Sequence, residues 1–294
     1  MQMLLCVDAF RVIGQYPEHF DTDAVPEYCS PIMNAIRLIV SAAAEEEPVD
    51  RVVDKQQYRE VLEQLSEFPE HEFETLLSGP QQDAEEFLRA LICALSHPQL
   101  GNPDAELRTW TAVQRHCSRC GSQGLNEEPE VITSVAIPPE LAEQYTQAGE
   151  AVPLTELLEA HQRPERLFCD SEQCESEAPD DRSLIVTHRF QQHSHYWAIH
   201  LKRFEYQGAG RKVTARVSAP AVLASGNIAF TLRSAILHIG SRMSSGHYRA
   251  LGMLSCIARR RLLCFHQSLL EFISSHRVSH WTFSPVTVLH FACV

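Results

Sequence analysis

Four groupings of residues in this 294-residue chain have types and spacing suited to chemistry. The first is cysteine: Cys117-Ser118-Arg119-Cys120, then Cys169 and Cys174. A Cys-x2-Cys turn brings two thiolates onto one metal, and a second pair closes a tetrahedral structural zinc site. Such a site would join two strand tips across 48 intervening residues; the alternative is four free thiols in a reduced protein. The second is Gly246-His247-Tyr248, at the start of a strand after a Gly/Ser loop. A histidine beside a small residue at a turn can present its imidazole to a cleft, as a general base must. With 15 histidines in the chain, position alone does not single out His247. The third is Gly79-Pro80-Gln81-Gln82-Asp83, which on local physics reads as a polar loop opening a helix. The fourth is Ala198-Ile199-His200-Leu201-Lys202-Arg203-Phe204, which alternates like a half-buried strand.

The elements that must position these groups change character along the chain. Apolar residues at helical spacing predict helices over 2–13, 31–44 and 55–66. The strongest helix is 82–96: acidic residues Asp83, Glu85 and Glu86 open it, and Phe87, Leu91 and Leu95 follow at i, i+4 and i+8. Beyond residue 130, β-branched and aromatic runs predict strands over 131–137, 183–190, 196–206, 213–223 and 228–239. Residues 142–151 and the acidic stretch 170–181 read as loops or exposed helix, and the acidic stretch 126–130 as a loop. The fold class is α+β, a helical N-terminal lobe followed by a β-rich C-terminal lobe, with a cleft between them as the natural place for a site.

Charge divides the chain in the same way. Residues 1–181 hold 11 Lys+Arg against 36 Asp+Glu, while residues 182–294 hold 14 against 2, within a net charge of −13. The acidic half argues against a nucleic-acid partner, and the acidic stretches beside the cysteines argue against a phosphate-binding zinc ribbon. The N-terminus has no basic n-region and Asp8 interrupts its apolar residues, so it does not read as a secretory signal. No apolar run approaches the ~20 residues that span a membrane, so no membrane partner is expected. Ten cysteines without a signal point to a reducing compartment, cytoplasmic or nuclear.

Taken in order, residues 81–88, the cysteine pairs, residues 199–204 and residues 232–250 resemble the ubiquitin-specific protease family of papain-like cysteine peptidases. The His-Leu-Lys-Arg-Phe and Gly-His-Tyr-x-Ala strings are the most specific pieces, and the resemblance spans about residues 2–252. It implies a papain-like thumb–fingers–palm architecture: thumb about 1–110, fingers about 111–185 and palm about 186–252, with 253–294 an unassigned tail. It implies a deubiquitinase domain that binds ubiquitin or ubiquitinated proteins and cuts the isopeptide bond at the ubiquitin C-terminus. By the same resemblance His247 is the general base, Asp83 holds the extended ubiquitin tail and Gln82 lines the same channel. Cys117, Cys120, Cys169 and Cys174 are the zinc ligands, although the family's second pair usually has two intervening residues where this chain has four.

Two family features depart from the pattern. The nucleophile box Cys-x-x-Asn-Ser-x-x-Gln is represented only by its end at Gln2, and Cys6 is the nearest thiol. After His247 the chain has no Asp or Asn to orient an imidazole; the last aspartate is Asp181 and the last asparagine Asn227. The expectation is therefore a domain cut at both edges, with 253–294 replacing the final palm strands and leaving a sheet edge exposed. The second functional reading is a catalytically incomplete pseudo-protease that still grips ubiquitin.

Overall fold

A computed structural model of the chain describes residues 33–34, 60, 63, 84–94, 103–174, 183–205, 211–242, 245–256, 259–263, 280–283 and 286–293. The helices expected over 2–13, 31–44 and 55–66 lie outside the described residues except at 33–34, 60 and 63, which are helical. Helix α1 (Ala84–Ala94) and the short α2 (Pro103–Leu107) precede the strands β1 (Thr109–Cys117), β2 (Gln123–Glu130) and β3 (Ile132–Ala136). Then come α3 (Pro139–Gln147), β4 (Val152–Pro153), α4 (Leu154–His161), β5 (Glu165–Leu167), β6 (Leu184–His193) and β7 (Tyr196–Lys202). Short strands follow: β8 (Phe204–Glu205), β9 (Arg211–Lys212), β10 (Val217–Pro220) and β11 (Val222–Ser225). The long hairpin β12 (Ile228–Arg242) and β13 (Ser245–Cys256) leads to β14 (Arg259–Leu263), β15 (His280–Phe283) and β16 (Val286–Cys293). The described residues thus form a mixed α/β fold with few helices and many strands.

α1 is amphipathic for the reason its spacing gives. Leu88, Leu91 and Ile92 are buried, while Glu86 and Arg89 stay in water. Arg89 Nε donates to Glu85 Oε1 at 2.9 Å, one turn away. α3, in the stretch that reads as loop or exposed helix, is a helix with no buried residue.

The strands form two main sheets. The four-stranded antiparallel sheet runs β2-β1-β6-β5. Its edge strand β2 includes 126–130, where the acidic composition suggests a loop. An exposed edge strand satisfies both demands: its carboxylates stay solvated while its backbone pairs with β1, and Pro129 is tolerated at an edge. Arg115 and Glu128 meet across the pair at 4.0 Å, an exposed contact of little stability value.

The seven-stranded sheet has the order β14-β13-β12-β16-β7-β3, with β11 paired to β12. β7 is not the half-buried strand its alternation suggests, because every residue from Tyr196 to His200, and Leu201, is buried. The sheet is covered on both faces there, so polar positions must be bonded rather than solvated. His200 Nδ1 lies 3.3 Å from Ser134 Oγ on β3, and Trp197 Nε1 donates to Thr133 Oγ1 at 3.0 Å.

Strand β16 belongs to the seven-stranded sheet. β16 lies between β12 and β7, antiparallel to both, and fills the position where the sequence suggests missing strands and an open edge. Its register explains the fit: Leu289 and Phe291 alternate into the core and are fully buried beside Leu223, Phe230 and Trp197. Two bulges in the β12 ladder adjust the pairing.

The chain passes between the two main sheets by short links, at Val131 between β2 and β3 and at Ser194-His195 between β6 and β7. β6 ends at His193 in the first sheet and β7 begins at Tyr196 in the second. The His193 ring packs 4.3 Å from Trp197 and edge-on 5.3 Å from Phe230. Its Nδ1 lies 3.3 Å from Thr109 Oγ1 and its Nε2 2.8 Å from Ser225 Oγ. Burial lowers the His193 pKa from 6.5 to about 4, so the folded state holds the neutral ring.

This packing generates two predictions. Phe291→Ala should cost about 3–5 kcal/mol in urea unfolding, as for a large core ring, whereas an unassigned tail would give almost no change. Because His193 titrates lower when folded, its stabilisation is present above pH 6.5 and is lost progressively as the pH falls toward about 4. The urea midpoint should fall across that window, and His193→Asn should flatten this part of the pH dependence.

Candidate functional site

The four cysteines flank two turns that meet beyond the end of the four-stranded sheet. Cys117 is the last residue of β1 and is buried. The chain reverses immediately: Gly121 N donates to Cys117 O at 3.0 Å and Cys117 N to Ser122 O at 2.8 Å. Gly121 has φ of +73°, a conformation that glycine adopts without strain, so the turn that presents Cys120 needs this residue. On the other side, Cys169 follows β5, and Cys174 N donates to Ser171 O at 2.8 Å. That extra turn accommodates the longer spacing of the second pair and curls both thiols inward.

The four sulfurs lie within 4.8 Å of one another. Cys117 Sγ is 3.8 Å from Cys174 Sγ, and Cys120 Sγ is 3.9 Å from Cys169 Sγ. These separations are far above the ~2.05 Å of a disulfide. They fit the edges of a tetrahedron whose centre holds zinc, since Zn–S bonds of about 2.3 Å place sulfurs about 3.8 Å apart. The pairing is crossed, each close contact joining one cysteine from the first pair to one from the second.

The thiols and their neighbours shift one another's protonation. Ser183 Oγ sits 3.3 Å from Cys117 Sγ. This contact, helped by the backbone of Cys120, lowers the Cys117 pKa to about 6 and favours its thiolate. Burial, with the Cys117 and Cys120 thiols, pushes Cys174 up. A backbone contact from Ser171 lowers the Cys169 pKa, but burial and the other three thiols outweigh it and take the group to about 12. A divalent cation bound among them would replace the thiol protons. Ser183 is the site residue that the sequence does not reveal: a serine before a strand carries no signal of its own. It also anchors the knuckle, as its carbonyl accepts from Ser118 N at 3.0 Å and Ser118 Oγ at 3.2 Å.

His247 lies on β13, with its backbone paired to Ile239 of β12. Its side chain lies outside the described residues, as do Cys6, Gln82 and Asp83; the last two immediately precede α1. The cysteines are therefore brought together by the fold. The strand carrying His247 and the strand carrying His200 belong to one sheet, separated by β12 and β16.

With this geometry in place, the chain can be set beside known proteins. The family model described as ubiquitin carboxyl-terminal hydrolase matches residues 1–260. The chain belongs to that family, the ubiquitin-specific proteases that its motifs resemble. No curated protein matches it. Among solved structures it is similar to the SAGA DUB module of Ubp8, Sgf11, Sus1 and Sgf73 bound to monoubiquitin, in a form carrying a substituted Ubp8. The identity is 15% and the TM-score 0.66, covering 100% of this chain and 66% of that one. The ubiquitin-aldehyde complex of the same module gives a TM-score of 0.63 at 15% identity, with 100% and 66% covered. The yeast module with a mutant Sgf73 gives 0.66 at 15% identity, with 100% and 65% covered. The chain thus spans about two-thirds of those chains' length, and the likeness is one of fold.

The cysteine geometry predicts that chelator-treated protein takes up about one Zn²⁺ per chain by elemental analysis, with a rise in Tm. Cys120→Ser should abolish both the uptake and the rise; a variant that binds zinc like the parent would exclude this site.

Proposed function

We propose that this chain is a deubiquitinase domain whose thumb, fingers and palm hold ubiquitin. The observation that carries the reading is the family match over residues 1–260, which spans all four motif groups in family order. The thumb is about residues 1–110, the fingers about 111–185 and the palm about 186–252. Strands β14 and β16 extend the palm into 253–294. In this reading the crossed cysteine cluster is the zinc knuckle of the fingers. The ion's contribution is to fix two turns, and it takes no part in bond cleavage.

The chemical roles follow the resemblance. Asp83 accepts hydrogen bonds from the extended C-terminal tail of ubiquitin, and Gln82 lines the channel. In the complete form of the domain His247 removes the proton from the thiol of the Cys-x-x-Asn-Ser box, which residues 1–294 do not contain, and the thiolate attacks the isopeptide carbonyl. The imidazolium then returns its proton to the leaving lysine amine, and water cleaves the resulting thioester. Acidic residues of the first half favour the basic tail of ubiquitin by long-range attraction. The compartment that suits reduced thiols is the cytoplasm or nucleus.

The second reading, ubiquitin binding without hydrolysis, is favoured by one observation: residues 1–294 contain no Cys-x-x-Asn-Ser box. Two measurements on this chain separate the cases. Calorimetric titration with ubiquitin should show saturable binding, and Asp83→Ala should weaken it by about tenfold, as expected for loss of a charged hydrogen bond. No binding up to about 1 mM ubiquitin would overturn the deubiquitinase-domain reading. A ubiquitin probe with a C-terminal electrophile should leave the chain unlabelled if it only binds; labelling at Cys6 or any other cysteine would reject the binding-only reading.

A further inference from the structure

The strand that carries His247 is aimed by its neighbour β12, and β12 is not regular where the two meet. The ladder is regular through Ile239, opposite His247, then shifts register before Arg242 pairs with Ser245. Gly240 sits in this irregularity with φ of 154°. A bulge of this kind turns carbonyls away from the ladder and needs other donors to hold them.

Those donors come from Lys212. The residue is 8% exposed and lies on β9, opposite Phe204 of β8. Its ammonium donates to His238 Nδ1 at 2.7 Å, to His238 O at 3.1 Å and to Gly240 O. An ammonium has three N–H donors, and the end of β12 offers it three acceptors on one side of the bulge. Since Lys212 can only donate, His238 Nδ1 must accept, which fixes the neutral tautomer with its proton on Nε2.

Lys212 is itself held from behind. Arg203, 1% exposed, donates through Nη1 to Val213 O at 3.1 Å and Ala215 O at 2.7 Å, and Val213 N returns a bond to Arg203 O at 2.6 Å. Burial, together with the nearby Arg203 charge, lowers the Lys212 pKa, so the cation is kept at a cost that its acceptors offset. The Arg203 of the strand motif at 200–204 is in this way connected, through Lys212, to the end of β12 that pairs with the start of β13.

We propose that Lys212 is a positioning residue for His247: by clamping the bulged end of β12 it sets where β13, the strand that carries His247, enters the sheet. The proposal rests on the reading of His247 as general base. Its test is independent of that reading because it monitors His247 placement directly, without ubiquitin.

The experiment uses the full 294-residue chain with isotope-labelled histidine. In Lys212→Met, the His247 imidazole resonances and their pH titration midpoint should move. Amide hydrogen exchange over 245–249 should rise by about tenfold or more, while exchange over 196–201 stays unchanged. Lys212→Arg, which retains a cation and its donors, should restore both. Unchanged His247 resonances in a folded Lys212→Met protein, or an equal rise in exchange across both strands, would overturn the proposal. If Lys212→Met does not fold, Gly240→Ala disturbs the same bulge with Lys212 intact. It should shift the His247 signals as well, and its failure to do so would also overturn the proposal.

Discussion

The packing of His193 against Trp197 and Phe230 is the constraint on which the arrangement of the two sheets depends. β6 and β7 are consecutive strands in different sheets, and only Ser194 and His195 separate them. So short a connection does not set an angle by itself. The angle is set because the His193 ring is locked at both nitrogens, by Thr109 at the start of β1 and Ser225 at the end of β11, and because its faces are covered by aromatic rings. One imidazole thus touches β1 of the first sheet, β7 and β12 of the second, and β11 paired to β12. Phe190 and His161 extend the same contact, stacked at 5.7 Å, so the aromatic column reaches α4.

The cysteine cluster and the strand that carries His247 are ordered by different means. The cysteine cluster forms where turns converge, and its order comes from short-range geometry: a positive-φ glycine, a serine hydroxyl and crossed pairs of sulfurs. The histidine strand belongs to a sheet interior, and its order comes from the ladder and from the buried cation at β12. In the second, Lys212 is buried against the His238 ring and two carbonyls of β12.

How much of this was legible in the sequence differs from residue to residue. The α1 helix and strands β3, β6 and β12 follow from periodicity, because their burial pattern is local. The cysteine cluster follows from spacing, because a Cys-x2-Cys turn constrains its own geometry. β7 was readable as a strand but not as a buried one: His200 looks solvated until Ser134 is seen beside it. β2 was hidden by its glutamates, since an edge strand can pair its backbone without burying a side chain. β16 was hidden because 286–293 matches none of the family motifs, although its alternating Leu289 and Phe291 suit a core strand. Ser183, Lys212 and His238 were invisible as a set because nothing in one dimension brings residues 26 or more positions apart to hydrogen-bonding distance.

The position of β16 also has a consequence for the order in which the protein is made. β7 and β12 never pair with each other; each pairs with β16, which is synthesised after both. A chain emerging from the ribosome therefore carries two unsatisfied inner edges and the apolar faces beside them until residue 293 has appeared. The hairpin of β12 and β13 and the four-stranded sheet can close early, from contacts nearer in sequence. The interior of the large sheet cannot, and its completion waits on the most distant pairing it contains. For that interval the nascent chain is a natural client for factors that cover exposed strands.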